Sequence, residues 1–257
     1  MITTEQLKSL RDETGVSIMQ CKKALEEAQG DIEKARIILK KKSGDAAAKK
    51  ADRELGSGIV TIAQNPQRTV MLTLLCETDF VAKNEDFMNT SKMLAEKALT
   101  EGKDVLANSE SALGELIQKI GENIKLGEVS VLDGENIGSY NHNGQYGALI
   151  SLKSKDDDLA KDIAMHTTAM RPAFLNENDI PEEAKEKAKE IFAKEVEEQS
   201  AGKDENMKAK ILEGKVNSYF KEQVLLKQSF IKDPSKTIEQ LLKEKNNEIV
   251  AWVLAQI

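Results

Sequence analysis

The stretch whose residue types and spacing come nearest to a functional device is Leu74-Leu75-Cys76-Glu77-Thr78-Asp79-Phe80-Val81-Ala82-Lys83-Asn84. It sets a carboxylate, Asp79, beside a large ring, Phe80, in a chain with only six Phe, three Tyr and one Trp. A Phe between two elements is most often folded into its own core. The alternative is an outward turn, with the ring offering apolar contact and the carboxylate a charge to another protein. Residue chemistry alone leaves both readings open.

Nothing else in the chain has the spacing of a covalent catalyst. His142 and His166 are the only histidines, and they lack metal-ligand spacing with each other or with Cys21 and Cys76. His166 falls in an apolar helical segment with Ile163 and Met170 and reads as structural. There is no Ser-His-Asp signature, Walker sequence or dinucleotide fingerprint. Gly56-Ser57-Gly58 precedes a strand instead of joining strand to helix, so it is no phosphate loop. The acidic residues crowd charge-rich helices and read as solvated faces. We therefore expect no enzymatic turnover, no metal and no cofactor.

The net charge of −7 argues against a nucleic-acid binder, which would present a basic field to phosphates. It is compatible with a protein partner. No apolar run approaches the roughly 18 residues of a membrane span, and the N-terminus is polar rather than a signal peptide. Cys21 and Cys76 lie in apolar segments far apart and read as reduced, packed thiols of a cytoplasmic protein.

The elements that must position these residues are legible from periodicity. Residues 1–42 read as three short helices. Thr3 with Gln6 and Ser17 with Gln20 offer capping boxes, Gly15 a stop, and Gly30-Asp31 a stop and a new cap. Helices this short must share one core, built here from Leu7, Leu10, Ile18, Cys21, Leu25, Ala28, Ile32, Ala35, Ile38 and Leu39. Residues 43–56 have little to bury and read as a semi-flexible linker. Ile59–Ala63 and Arg68–Leu75 are strands around the turn Gln64-Asn65-Pro66-Gln67. Asn84–Thr100 is a helix with Phe87, Leu94 and Ala98 inward, and a second helix spans Ser109–Ile120 with Gly121 as its stop.

Further strands are expected over Ile124–Leu132, bounded by Gly127 and Asp133-Gly134, around Ser139, over 145–152 and over Glu248–Ile257. Leu159–Met170 and a segment capped by Thr237 and Gln240 are helices. Pro181–Ser200 and Asp204–Lys227 form an antiparallel helical hairpin around Gly202, with stripes through Ile191, Val196, Val216 and Tyr219. The fold class is α+β: three N-terminal helices, a core of two antiparallel-sheet subdomains and an inserted hairpin. The expected division is 1–42, a linker at 43–56, a core subdomain at 57–140, and a second at 141–257 carrying the hairpin at about 181–227.

The run Glu77-Thr78-Asp79-Phe80-Val81-Ala82-Lys83 resembles the hallmark of the bacterial elongation factor Ts family, nucleotide-exchange factors for the GTPase elongation factor Tu. Six further motifs resemble the family in order: Leu10-Arg11 with Thr14-Gly15, Met19-Gln20-Cys21-Lys22-Lys23-Ala24-Leu25, Lys119-Ile120-Gly121-Glu122-Asn123-Ile124, Gly138-Ser139-Tyr140-Asn141-His142, Ile163-Ala164-Met165-His166 and Pro234-Ser235-Lys236-Thr237. The resemblance implies a ubiquitin-associated-like fold for residues 1–42. It implies that Thr78, Asp79, Phe80 and Val81 dislodge Mg²⁺ from the partner, Phe80 as a wedge. Arg11, Met19, Lys22, Ile120, Gly121, Asn123 and His142 become candidate partner contacts, where their chemistry alone suggests helix surface, core, cap or loop. The hairpin resembles a family insertion implicated in self-association, so a homodimer is a further expectation. The resemblance also implies that longer family members continue into a C-terminal helical module, whose contacts with the partner are not expected from the residues read here. The rival expectation is a non-catalytic interaction scaffold built from the helical segments alone.

Overall fold

The structure is a computed structural model that describes residues 2–199 and 204–257. It is α+β, as the periodicities predict. Helix α1 (Thr4–Thr14) begins with the expected Thr3–Gln6 capping box and ends at Gly15, whose φ of 65° is left-handed. The side chain of Ser17 caps α2 (Ile18–Glu27), and that of Asp31 caps α3 (Ile32–Ala48). Leu10, Val16, Cys21, Ala24, Leu25, Ala35 and Leu39 close their shared core. Ile18, expected inside, is 50% exposed, because the α2 stripe that faces the core is Cys21, Ala24 and Leu25.

The strand β1 (Ser57–Asn65) pairs antiparallel with β2 (Arg68–Cys76). Asn65 Oδ1 accepts the amides of Gln67 and Arg68 and shapes the turn. A one-turn helix, α4 (Asp79–Ala82), follows, then α5 (Glu85–Glu101), α6 (Glu110–Ile120) and β3 (Ile124–Asp133). The first sheet has the order β1-β2-β3, and α5 and α6 join its core through Phe87, Leu94, Ala98, Leu116 and Ile117 against Leu72 and Leu74. Burial on both faces explains the near-continuous apolar run of β2.

Two expectations need correction here. Gly127 does not bound a strand; it lies inside β3, opposite a register shift between Leu72 and Leu74. A Cβ there would fall 2.3 Å from Thr73 Oγ1, which accepts the Glu128 amide at 2.9 Å. The segment after residue 42 is also more than a connector: α3 runs on to Ala48 and packs against α6. Ser43 is buried against Gly114, whose missing side chain admits the α3 backbone, and Ala47 packs on the sheet core. Beyond it, the carbonyls of Ala51 and Arg53 accept from Lys125 Nζ and Asn123 Nδ2 at 2.7 and 2.9 Å. A low-apolarity helix is held here by small-residue contact, which a search for large apolar residues overlooks.

The remaining elements are β4 (Ile137–His142), β5 (Tyr146–Leu152), α7 (Asp157–Met170), α8 (Glu182–Gln199), α9 (Glu205–Gln223), β6 (Ser229–Phe230), β7 (Asp233–Thr237), α10 (Ile238–Glu244) and β8 (Ile249–Gln256). A second sheet has the order β4-β5-β8. The pairing of α8 and α9 gives the expected hairpin, with Ala188, Val196, Val216 and Phe220 buried. Ile191 and Tyr219, expected in its stripes, are 62% and 42% exposed: the inward positions fall to smaller or neighbouring residues. Gly202, expected at its tip, lies outside the described residues. The capping box of Thr237 and Gln240 opens α10. Contacts divide the chain into two compact units, one of Met1–Glu135, Asn141–Leu149 and Ala255–Ile257, the other of Asn136–Tyr140 and Ile150–Leu254.

Candidate functional site

Strand β2 ends at Cys76, paired with Ser57 on one side and Ile124 on the other. Two helix starts follow at once. Thr78 is extended (φ −127°, ψ 156°) and its hydroxyl oxygen caps α4 by accepting from the Val81 amide at 3.4 Å. Asn84 then caps α5, taking the amides of Asp86 and Phe87 at 2.9 and 3.3 Å. Ala82 and Phe87 are the buried anchors on either side. Just ahead of them the turn directs Phe80 outward, 82% exposed. The core reading of this Phe, open in the sequence, is thereby closed. A ring so exposed on a capped turn is a surface feature that a partner can cover.

Asp79 lies on the first turn of α4, and Lys83 donates to its carboxylate at 2.8 Å. That hydrogen bond and the lysine's charge hold the carboxyl below its ordinary range, so Asp79 is ionised at neutral pH. Cys76 is buried and free, its thiol pushed up to about 11 by burial first and by the Glu122 charge second. It is a packed thiol, not a nucleophile.

The corner after α6 is bound to this turn. Gly121 supplies the left-handed stop, φ 94°, and stays exposed. Glu77 Oε1 accepts the Asn123 amide at 2.6 Å and the Arg53 guanidinium at 3.2 Å, and the amide holds the Glu77 carboxyl below its ordinary range. In the reverse direction, the Glu122 carboxylate takes three donors from residues 77 and 78. Sequence reasoning passed over Glu122 while naming its neighbours. The available signal was a carboxylate directly after a helix-stop glycine, where the chain reverses toward the strand end.

Of the named residues, Thr78 to Val81 form one turn, and Ile120, Gly121 and Asn123 form the corner joined to it. Ile120 is half-buried on the core, and Asn123 is 1% exposed, its amide group spent on the Arg53 carbonyl. Asn123 thus holds the corner from within. Arg11 is exposed on α1, Met19 is 66% exposed on α2, and Lys22 pairs loosely with Glu26 at 3.8 Å. A Gln118–Gln20 hydrogen bond of 3.2 Å sets the start of α2 beside α6. His142 is exposed at the end of β4, next to Asn141, whose Nδ2 donates to the Val60 carbonyl at 2.8 Å.

Among the described residues no group of three or more His, Cys, Asp or Glu is placed to hold a metal, and no helix is long and apolar enough to cross a membrane. What the site offers is an apolar probe flanked by a fixed negative charge, on a turn tied down from behind.

Comparison with known proteins agrees with this outline. Residues 77–257 match the family model described as elongation factor TS. The chain is similar to the elongation factor Ts of Thiobacillus denitrificans, 42% identical over 96% of this chain and 89% of the relative. It is 38% identical to that of a Hydrogenobaculum species, over 100% of this chain and 98% of the relative. It is 39% identical to that of Legionella pneumophila, over 100% and 92%.

Proposed function

The chain belongs to the elongation factor Ts family, and from that premise we propose that it binds elongation factor Tu and promotes the exchange of bound GDP for GTP. The observation that carries the reading is Phe80, 82% exposed on a turn capped by Thr78. Exchange requires no covalent chemistry. A factor that binds the nucleotide-free GTPase more tightly than the loaded one weakens nucleotide binding by the same ratio, through linkage. Each tenfold loss of nucleotide affinity needs about 1.4 kcal/mol of such differential. Burying one Phe side chain in a partner is worth about 1.5–3 kcal/mol, so one inserted ring supplies roughly one to two powers of ten.

In this reading Phe80 enters an apolar recess of the GTPase that is open only when the nucleotide site is distorted. Asp79 brings its negative charge toward the partner's Mg²⁺ shell and competes for the ion or its waters. Loss of Mg²⁺ leaves the phosphates unscreened, and the nucleotide departs. Exposed Arg11 and Met19 would extend the contact along the N-terminal helices.

The test is release of a fluorescent GDP analogue from purified elongation factor Tu. Substoichiometric amounts of this protein should accelerate release through repeated turnover, and Phe80→Ala should slow it. Binding without acceleration would sink the exchange reading in favour of a scaffold.

A further inference from the structure

We propose that Glu122 is a positioning residue for nucleotide exchange, fixing the angle at which Phe80 and Asp79 are presented; this rests on the exchange reading above. Its carboxylate meets three donors. Oε2 accepts the backbone amides of Glu77 and Thr78 at 3.1 and 3.0 Å, and Oε1 accepts the Thr78 hydroxyl at 2.7 Å. A hydroxyl has one proton to give. With that proton committed to Glu122, the Thr78 oxygen is left to accept from the Val81 amide at 3.4 Å, which is the cap of α4. The carboxylate therefore sets the rotamer of the residue that starts the turn bearing the probe. Hydrogen bonds to a charged acceptor are shorter and stronger than neutral ones, which suits a clamp on a partly exposed turn.

The clamp is braced from the other side. Glu77 reaches back to the Asn123 amide at 2.6 Å, so two adjacent carboxylate arms cross the gap in opposite directions. A four-residue helix has no stability of its own, so its direction must come from such outside bonds. The hydrophobic core beneath is built from apolar side chains, with Leu72, Leu74 and Phe87 fully buried in it. Loss of Glu122 should leave the fold in place and let the turn rock. An error of about 1 Å in a wedge costs rate more than it costs encounter with the partner, as for other positioning groups.

The experiment compares wild type, Glu122→Gln, Thr78→Val and Phe80→Ala in the GDP-analogue assay at varied concentrations of elongation factor Tu. Glu122→Gln replaces one acceptor oxygen by a donor facing the Thr78 hydroxyl. It is expected to lower the saturated exchange rate by about 10-fold or more while the half-saturating concentration stays within about twofold. Thr78→Val removes only the hydroxyl and should lower the rate in the same sense. The Glu122→Gln/Thr78→Val double variant should be slowed by less than the product of the two single effects, because the two substitutions share the bond from the Thr78 hydroxyl to Glu122 Oε1. A wild-type rate in Glu122→Gln beside a slow Phe80→Ala overturns the positioning role and leaves exchange intact. So does a raised half-saturating concentration at unchanged rate, which would make Glu122 a plain contact. If Phe80→Ala also exchanges at the wild-type rate, the exchange reading itself falls.

Discussion

Lys83 donates to the Asp79 carboxylate at 2.8 Å across one turn, so the charge beside the exposed Phe80 ring is already partnered within its own helix. The acid precedes the base by four residues and sits at the helix start, the orientation that favours such pairs. Both side chains are largely exposed, and a pair in water adds little to stability. What the pair does is aim Asp79 and hold its carboxyl below the ordinary range. Lys83→Met should therefore leave the thermal midpoint unchanged and raise the Asp79 pKa toward the ordinary carboxylate value of about 3.9. A carboxyl-carbon NMR titration reads the shift directly. Asp79→Asn, which removes the charge at constant shape, should slow GDP release without lowering the midpoint.

Phe80 and Phe87 sit on successive helices and should respond oppositely to the same truncation. Phe87 is fully buried under the first sheet, so Phe87→Ala should cost about 3–5 kcal/mol in urea unfolding. Phe80 is 82% exposed, so Phe80→Ala should change stability by no more than about 0.5 kcal/mol while slowing exchange. Destabilisation of Phe80→Ala by as much as Phe87→Ala would mean that the ring is core in solution.

The contrast also shows how far the sequence could be read. Helix starts were legible wherever a short polar side chain and a period-3.6 stripe coincided, as at Thr3, Asn84 and Thr237. The Phe80 direction was not, because a strand-to-helix turn accepts a ring on either side. What decides it is the neighbouring pair of buried anchors, Ala82 and Phe87, together with the Thr78 cap. The helical continuation to Ala48 was hidden because Ser43 and Gly114 bring two backbones together with almost no apolar side chain. Glu122 was hidden because its donors come from a segment far away in sequence. Ile18 and Ile191 fail differently: each lies on an apolar stripe wider than the face that its neighbours cover.

His166 is buried, and its ring is fixed by two bonds of opposite sense. The Ile231 amide donates to Nδ1 at 3.3 Å, so Nδ1 is bare and the proton sits on Nε2, which donates to Gln228 Oε1 at 3.0 Å. Gln228 in turn donates to the Glu222 carbonyl at 2.6 Å. A second ring proton would face the Ile231 amide, and burial, the main cause, lowers the pKa below its ordinary 6.5. With the folded pKa depressed, the unfolded chain binds the extra proton first as pH falls. The stabilisation is fully present above about 6.5 and is lost below it as pH approaches the folded pKa. The slope is at most about 1.4 kcal/mol per pH unit for one proton. Urea midpoints should fall between pH 7 and 5, and His166→Gln should flatten that part of the profile. An unchanged profile in the variant would remove His166 as its source.

Gly138 and Gly44 predict opposite outcomes for the same added methyl. Gly138 lies buried in β4 against α7, and a Cβ there would fall 2.3 Å from the Ala160 carbonyl carbon and 2.4 Å from the Lys161 nitrogen. Its φ is not left-handed, so space is the constraint and not conformation. Both obstacles are helix backbone, which cannot turn aside as a side chain can. Gly138→Ala must push α7 away from the sheet and loosen the packing of Leu159, Ile163 and Ala164, at about 3 kcal/mol or more. Gly44 is exposed within α3, and a Cβ added there would meet nothing within 4 Å. Gly44→Ala lowers the backbone freedom of the unfolded chain and should stabilise by about 0.5–1 kcal/mol. Urea unfolding of the two variants at matched m-values gives the comparison. A harmless Gly138→Ala would show that β4 and α7 stand farther apart than 2.3 Å implies. A destabilising Gly44→Ala would show that α3 does not extend past residue 42 in solution, which would return residues 43–48 to the linker.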